Sequence, residues 1–235
     1  RQIFAILKAM LFALVVIFTG NVAFASCPAG RMEYIENGSS VCSENKFQIT
    51  TIPNTTEIKF IFFAAGTYYV DCDINSTSDT VQKVTVEDSK SAMEAGKPVT
   101  CSYDIGGEYT IGFGGEAVNY IESFIKEKPN WFNAGSDNCS KWGVFRIGEQ
   151  TDSKITSHTS KIKALSGSIG KIFPTLPDKP QPTFIATFSG TTNLTSIPGN
   201  LFNGVYGQPG VCMFNSTFSG TGAENIPIGC LYMKW

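Results

Sequence analysis

Histidine is almost absent: one, His158, stands in 235 residues. That excludes a His-rich metal site, and any Ser-His-Asp or Cys-His arrangement would have to use this residue. It sits in a Ser/Thr-rich stretch and reads as an exposed loop histidine. Charge is also scarce. Asp, Glu, Lys and Arg make up 16% of the chain, against about 25% in an average globular protein. The net charge of −2 supplies no basic footprint for nucleic acid. None of the seven cysteines forms a Cys-x-x-Cys pair, which argues against zinc and thioredoxin-type sites. GFGGEA at 112–117 lacks the following Gly-Lys-Ser/Thr of a phosphate-binding loop, so it reads as a β-turn or bulge. The apolar run at the start covers about ten residues, Ala9 to Phe18, and a membrane-spanning helix needs roughly 20.

That short run is nonetheless informative. Arg1 and Lys8 precede it, Thr19-Gly20-Asn21 break it, and Ala23-Phe24-Ala25 places small residues at −3 and −1 of a cleavage site. The order is that of a secretory signal peptide, residues 1–25, cut after Ala25. The mature protein is then expected to be secreted or on a cell surface. Phe24-Ala25-Ser26-Cys27 also offers a poor lipobox, with Cys27 as the lipidated residue. Because the chain lacks an initiator Met and stops at Trp235 within a repeat, it reads as a piece of a longer protein. Membrane attachment would then come through that lipid or a C-terminal anchor further on.

Cysteines 27, 42, 72, 101, 139, 212 and 230 suit disulfides in an exported chain. Cys27 with Cys42 would close a small N-terminal loop, and Cys72 with Cys101 would staple neighbouring strands. Spacing alone does not fix the connectivity. Six Asn-x-Ser/Thr triplets, at Asn37, Asn54, Asn75, Asn138, Asn193 and Asn215, carry no information while the source is unknown.

Low charge with many aromatic and β-branched residues points to β structure. Residues 26–45 form a Cys-bounded leader. KFQITTI and EIKFIFFAAGTYYVDCD read as two strands around the turn-prone PNTTE. VQKVTVED alternates as a third, and PVTCSYDIGGEYTIGFGG gives two more around Gly106-Gly107. Between them SKSAMEAGK is a loop or one helical turn. The expected unit over 46–150 is an antiparallel β-sandwich-like domain. Within it, VNYIESFIKE has apolar residues at 118, 121, 124 and 125, the spacing of one helix face. Ile162, Leu165, Ile169 and Ile172 also show near-helical spacing, against the Gly and Ser between them.

The last segment repeats itself. FIATFSG at 184–190 returns as FNSTFSG at 214–220, and SIPGNLF at 196–202 returns weakly as NIPIGCL at 225–231. A period near 30 residues is the signature of stacked solenoid units, each needing a neighbour to bury its apolar edge. NLTSIPGNLFNGV at 193–205, together with the two FxxTFSG segments, resembles the leucine-rich-type repeats of BspA-like bacterial surface proteins. KFQITT…FFAAGTYYVDCD resembles the PKD-like β-domain that precedes such arrays. There the family usually reads FYVDWGDG; here Cys72-Asp73-Ile74-Asn75 replaces its second half. The resemblance implies a mainly β fold with some α, a leucine-rich-type repeat region over 151–235, and a repeat core of Phe184, Phe188, Leu194, Ile197, Leu201, Phe202, Phe214, Phe218 and Ile226. It also implies a non-enzymatic role in adhesion or protein–protein contact, with a protein or host-surface ligand.

Few residues suggest chemistry. Asp71, Asp73, Asn75 and Asp79 alternate like the early ligands of a calcium loop, but Ser76 and Gln82 stand where an EF-hand has Gly and Glu. A non-EF-hand calcium site or a plain polar loop are the two readings, and no other cofactor is expected. Glu108, Glu116 and Glu122 lie close in sequence without fixing the separation glycoside hydrolysis needs. Tyr68, Tyr69, Trp131 and Trp142 would line a sugar-binding face or fill a core. A secreted carbohydrate-binding or carbohydrate-active protein is thus the rival expectation.

Overall fold

A computed structural model describes residues 27, 31–36, 39–76, 81–121, 143–151, 154–207 and 213–227. The protein is mainly β, and its ladders are antiparallel. A hairpin of β1 (Arg31–Glu36) and β2 (Ser39–Glu44) leads into two larger sheets. The five-stranded sheet contains β3 (Phe47–Thr51), β5 (Ala65–Asp71), β6 (Val81–Val86), β8 (Thr110–Asn119) and β11 (Ile162–Gly167). Its order is β11-β3-β8-β5-β6. The four-stranded sheet contains β4 (Thr55–Phe62), β7 (Lys97–Gly107), β9 (Phe145–Thr151) and β10 (Lys154–Ser157), in the order β10-β9-β4-β7.

Alternation explains how the sheets meet. Phe47, Ile49 and Thr51 of β3 are buried while Gln48 and Thr50 are half-exposed, the period-2 pattern of a strand with one covered face. Phe60 of β4 meets Phe113 of β8 edge-on at 5.0 Å, and Phe62 stacks on Tyr68 of β5 at 4.4 Å. These rings join the sheets face to face. Each buries enough apolar surface to contribute about 2–3 kcal/mol.

One expected strand is two. EIKFIFFAAGTYYVDCD breaks at Phe63-Ala64, and its halves, β4 and β5, pair in different sheets. No turn residue announces the corner, because FIFFAA stays buried throughout. Small residues permit it: a Cβ on Gly66 would lie 2.5 Å from the Glu116 carbonyl. Tyr68 then donates its hydroxyl back across the corner to the Ala64 carbonyl at 2.9 Å.

SKSAMEAGK forms α1 (Lys90–Ala95). Ser89 caps it by accepting the Ala92 N–H at 3.2 Å, and Gly96 ends it at φ 67°, a conformation that suits glycine. The helical spacing at 118–125 does not describe the whole segment. Val118 and Asn119 end β8, with Val118 exposed, and residues 122–142 lie outside those described. The spacing of Ile162, Leu165, Ile169 and Ile172 has another cause. All four are buried, but in β11 and a 3-10 turn at Ile169–Lys171. A register shift between Ile162 and Ala164 resets the alternation, so residues three apart share a face. GFGGEA lies inside β8 rather than at a turn. There a Cβ on Gly114 would meet the Glu44 carbonyl at 2.5 Å, so its bare backbone lets the N-terminal hairpin sit close.

The two guessed cysteine pairs are both at bonding distance: Cys27–Cys42 with S–S 2.11 Å, and Cys72–Cys101 with S–S 1.99 Å. The second joins the end of β5 to β7, and so links the two sheets rather than neighbouring strands of one. The Cys27 sulfur is taken by its disulfide and is not free for a lipid. Cys139, Cys212 and Cys230 lie outside the described residues.

Candidate functional site

Beyond β11 the described residues run in turns rather than strands, and these turns stack. The backbone N–H groups of residues 184, 186, 188 and 190 donate to the carbonyls of 213, 215, 217 and 219 at 2.7–3.0 Å. Every donor therefore meets an acceptor 29 residues further on. Within each coil the same short bonds recur: Thr187 N–H to the Phe184 carbonyl and Thr217 N–H to Phe214, Ser189 to Ala186 and Ser219 to Ser216. Ala186 and Ser216 both hold left-handed backbone, at φ 49° and 56°. Gly190 and Gly220 do so at φ 78° and 67°.

Rings stack at an offset of 30, one more than the backbone bonds. Phe184 stacks on Phe214 at 5.9 Å, and Phe188 on Phe218 at 5.7 Å. Buried Thr217 donates to the Phe184 carbonyl at 2.7 Å, and buried Thr187 to the Phe145 carbonyl at 3.2 Å. Hydroxyls on the opposite rung point the other way along the stack. Thr159 donates to the Ser189 carbonyl at 2.7 Å, and Ser189 to the Ser219 carbonyl at 3.2 Å. Such bonds contribute about 1 kcal/mol each, but leaving a buried one unmade costs about 1–3.

The coils rest on the sandwich. Val144, next to β9, donates to the Thr183 carbonyl at 2.8 Å, and Gly170 to the Leu201 carbonyl at 3.2 Å. Ser168 donates its hydroxyl to the Leu201 carbonyl at 2.9 Å. Leu165, Ile169, Ile172 and Phe173 before the coils and Leu194, Ile197, Leu201 and Phe202 within them are all buried. The expected division at 150/151 falls inside β9, and β10 and β11 pair with sandwich strands.

Of the expected repeat core, Phe184, Phe188, Leu194, Ile197, Leu201 and Phe202 are buried together, and Phe214 and Phe218 pack against them half-buried. Ile226 is exposed instead; among the described residues no coil stacks on it. The exposed residues of the coils include Thr192, Asn193, Thr195, Ser196, Asn200 and Asn203, with Tyr206 49% exposed. Glu224 is the only charged residue between 181 and 227.

The other candidates are dispersed. Asp71 Oδ1 accepts the Asp73 N–H, and Asp73 Oδ1 the Asn75 N–H, each at 3.1 Å. These carboxylates hold the turn's own backbone. Asp79 lies outside the described residues. Among the described residues no three His, Cys, Asp or Glu side chains gather to hold a metal ion. Glu108 pairs with Lys163 at 2.7 Å and Glu116 with Lys46 at 2.8 Å; Glu122 is not described. Tyr68 belongs to the core rather than a sugar-binding face, Tyr69 is half-buried, and Trp131 and Trp142 are not described. His158 is half-buried rather than a free loop residue, and its ring accepts the Lys59 backbone N–H at 3.2 Å.

No family model, no curated protein and no solved structure matches the chain.

Proposed function

We propose that this is an exported, non-enzymatic surface protein that makes adhesive or other protein contacts through a stacked repeat array of leucine-rich type, seated on a β-sandwich. The observation that carries the reading is the row of hydrogen bonds from residues 184–190 to residues 213–219 at a constant offset of 29. A coil that satisfies its neighbour's backbone by repetition builds an extended open face rather than a closed reaction pocket. Two disulfides support an oxidising compartment outside the cytoplasm. The leader with its small residues at 23 and 25 supports the same route.

The face itself narrows the ligand. With exposed hydroxyl and amide side chains, an exposed Tyr206 and one charged residue between 181 and 227, binding draws on hydrogen bonds and apolar contact rather than ion pairs. Salt then has little to screen. The test uses purified protein starting at Ser26 and immobilised host-surface glycoproteins, before and after enzymatic removal of their glycans. Saturable binding that survives about 1 M NaCl, persists after deglycosylation and is lost in Tyr206→Asp with Asn203→Arg supports the reading. Binding that disappears with the glycans moves the ligand to carbohydrate. Binding indifferent to the face variants removes the array from the role.

A further inference from the structure

Residues 158–161 hold two parts of the molecule together. His158 donates its backbone N–H to the Ile147 carbonyl of β9 at 3.0 Å, and its ring Nδ1 accepts the Lys59 N–H of β4 at 3.2 Å. Its neighbours face the coils. Thr159 Oγ1 donates to the Ser189 carbonyl, and Asn193 Nδ2 to the Ser160 carbonyl, both at 2.7 Å. Lys161 Nζ returns to β4, donating to the Glu57 carbonyl at 2.7 Å. One turn is thus bonded to the four-stranded sheet on one side and to the next coil on the other.

Only a neutral imidazole protonated at Nε2 can accept at Nδ1. A proton on Nδ1 would set a donor against the Lys59 donor. The charged groups facing the ring are Glu57 and Lys59 of β4, Glu149 of β9 and Lys161 of the turn. The acids favour the charged ring, but Glu149 is paired with Lys59, and Glu57 lies 3.5 Å from Lys59. Burial, then Lys161, holds the imidazole below its ordinary value of 6.5.

We propose that His158 is an acid-sensitive latch at the junction of sandwich and coils: neutral, it locks the 158–161 turn onto β4; protonated, it releases the Lys59 N–H and loosens the Thr159–Ser189 rung. The latch stands on this geometry and does not depend on the adhesive reading. Because the closed junction binds the proton less well than the open one, closure is firm above the ordinary histidine pKa and weakens as pH falls through about 6.5.

Amide hydrogen exchange on the whole protein, corrected for the intrinsic pH dependence, reads the latch directly. Protection of the Lys59 amide is expected to fall about fivefold between pH 7.5 and 5.5, the equivalent of one ordinary hydrogen bond. In His158→Asn an amide oxygen can stand near the place of Nδ1 without titrating, and protection should stay level. An equal fall in both proteins, or no fall in the native one, overturns the proposal. If the variant does not fold, the native protein's NMR titration decides. A His158 pKa at or above 6.5, or a Lys59 amide resonance that ignores the ring's titration, overturns it equally.

Discussion

The rings of Phe188 and Phe218 lie 5.7 Å apart and only 10° from parallel, although 30 residues separate them along the chain. Phe47 of β3 meets Phe188 at 6.3 Å, and Phe173, packed against Phe145, meets Phe184 at 6.4 Å. The sandwich core therefore runs into the coils through columns of rings, of which Phe47, Phe188 and Phe218 form one. That continuity is why a coil can form here at all: a single turn of chain buries too little apolar surface to offset the entropy of ordering it.

The column has an inside and an outside. Phe188 is fully buried, whereas Phe218 is half-buried in the outer coil. Phe188→Ala should cost about 3–5 kcal/mol, and Phe218→Ala clearly less. Urea unfolding curves of the two variants make the comparison, and the reverse order would contradict the stacking described.

Backbone strain repeats with the coils. Ala186 sits at φ 49° and Gly190 at φ 78°. Gly190→Ala should destabilise by about 1–2 kcal/mol, with its new Cβ placed 3.2 Å from Thr159 Oγ1. Ala186→Gly removes the same penalty but loosens the unfolded chain, for a net gain of up to about 1 kcal/mol. Opposite signs in thermal melts are the expected outcome.

The Cys72–Cys101 bond closes a separation of 29 residues and ties the two sheets. Replacing both cysteines by serine should lower stability by about 3–4 kcal/mol by the loop-entropy relation. Urea unfolding of the variant and the native protein, both without reductant, makes the comparison. A variant as stable as the native protein would show that the sheets need no tie.

Three tyrosines should resist alkali. Tyr68, Tyr103 and Tyr120 donate to the carbonyls of Ala64, Cys72 and Pro174 at 2.9, 2.7 and 2.5 Å. Burial is the largest cause pushing all three above their ordinary value. The folded protein therefore holds these protons more tightly than the unfolded one. Their contribution to stability is full below about pH 10 and is lost as pH rises further. Ultraviolet titration should show ionisation in two phases, the later coinciding with unfolding.

Single residues show what could and could not be read in advance. The alternation of Phe47, Ile49 and Thr51 identified β3 because period-2 burial is a local property. SKSAMEAGK read as a loop or one helical turn, and the Ser89 and Gly96 caps show why the turn forms. The corner at Phe63-Ala64 was illegible, because a run buried on both faces looks the same whether it crosses between sheets or stays in one. The seating of residues 159–170 on the coils was illegible for a similar reason: Thr159, Ser168 and Gly170 bond to Ser189 and Leu201, partners remote in sequence that no local pattern names.

The sequence by itself determined the β-rich character, the period near 30 and most of the residues that stack, since each follows from side-chain type and spacing along the chain. Which cysteine joins which sheet, where the strand turns, and how the coils seat on the sandwich were decided by the tertiary structure. These depend on hydrogen bonds and ring contacts between residues remote in sequence, such as Phe184 with Met213 and His158 with Lys59, and no local pattern encodes which partner a backbone group will meet.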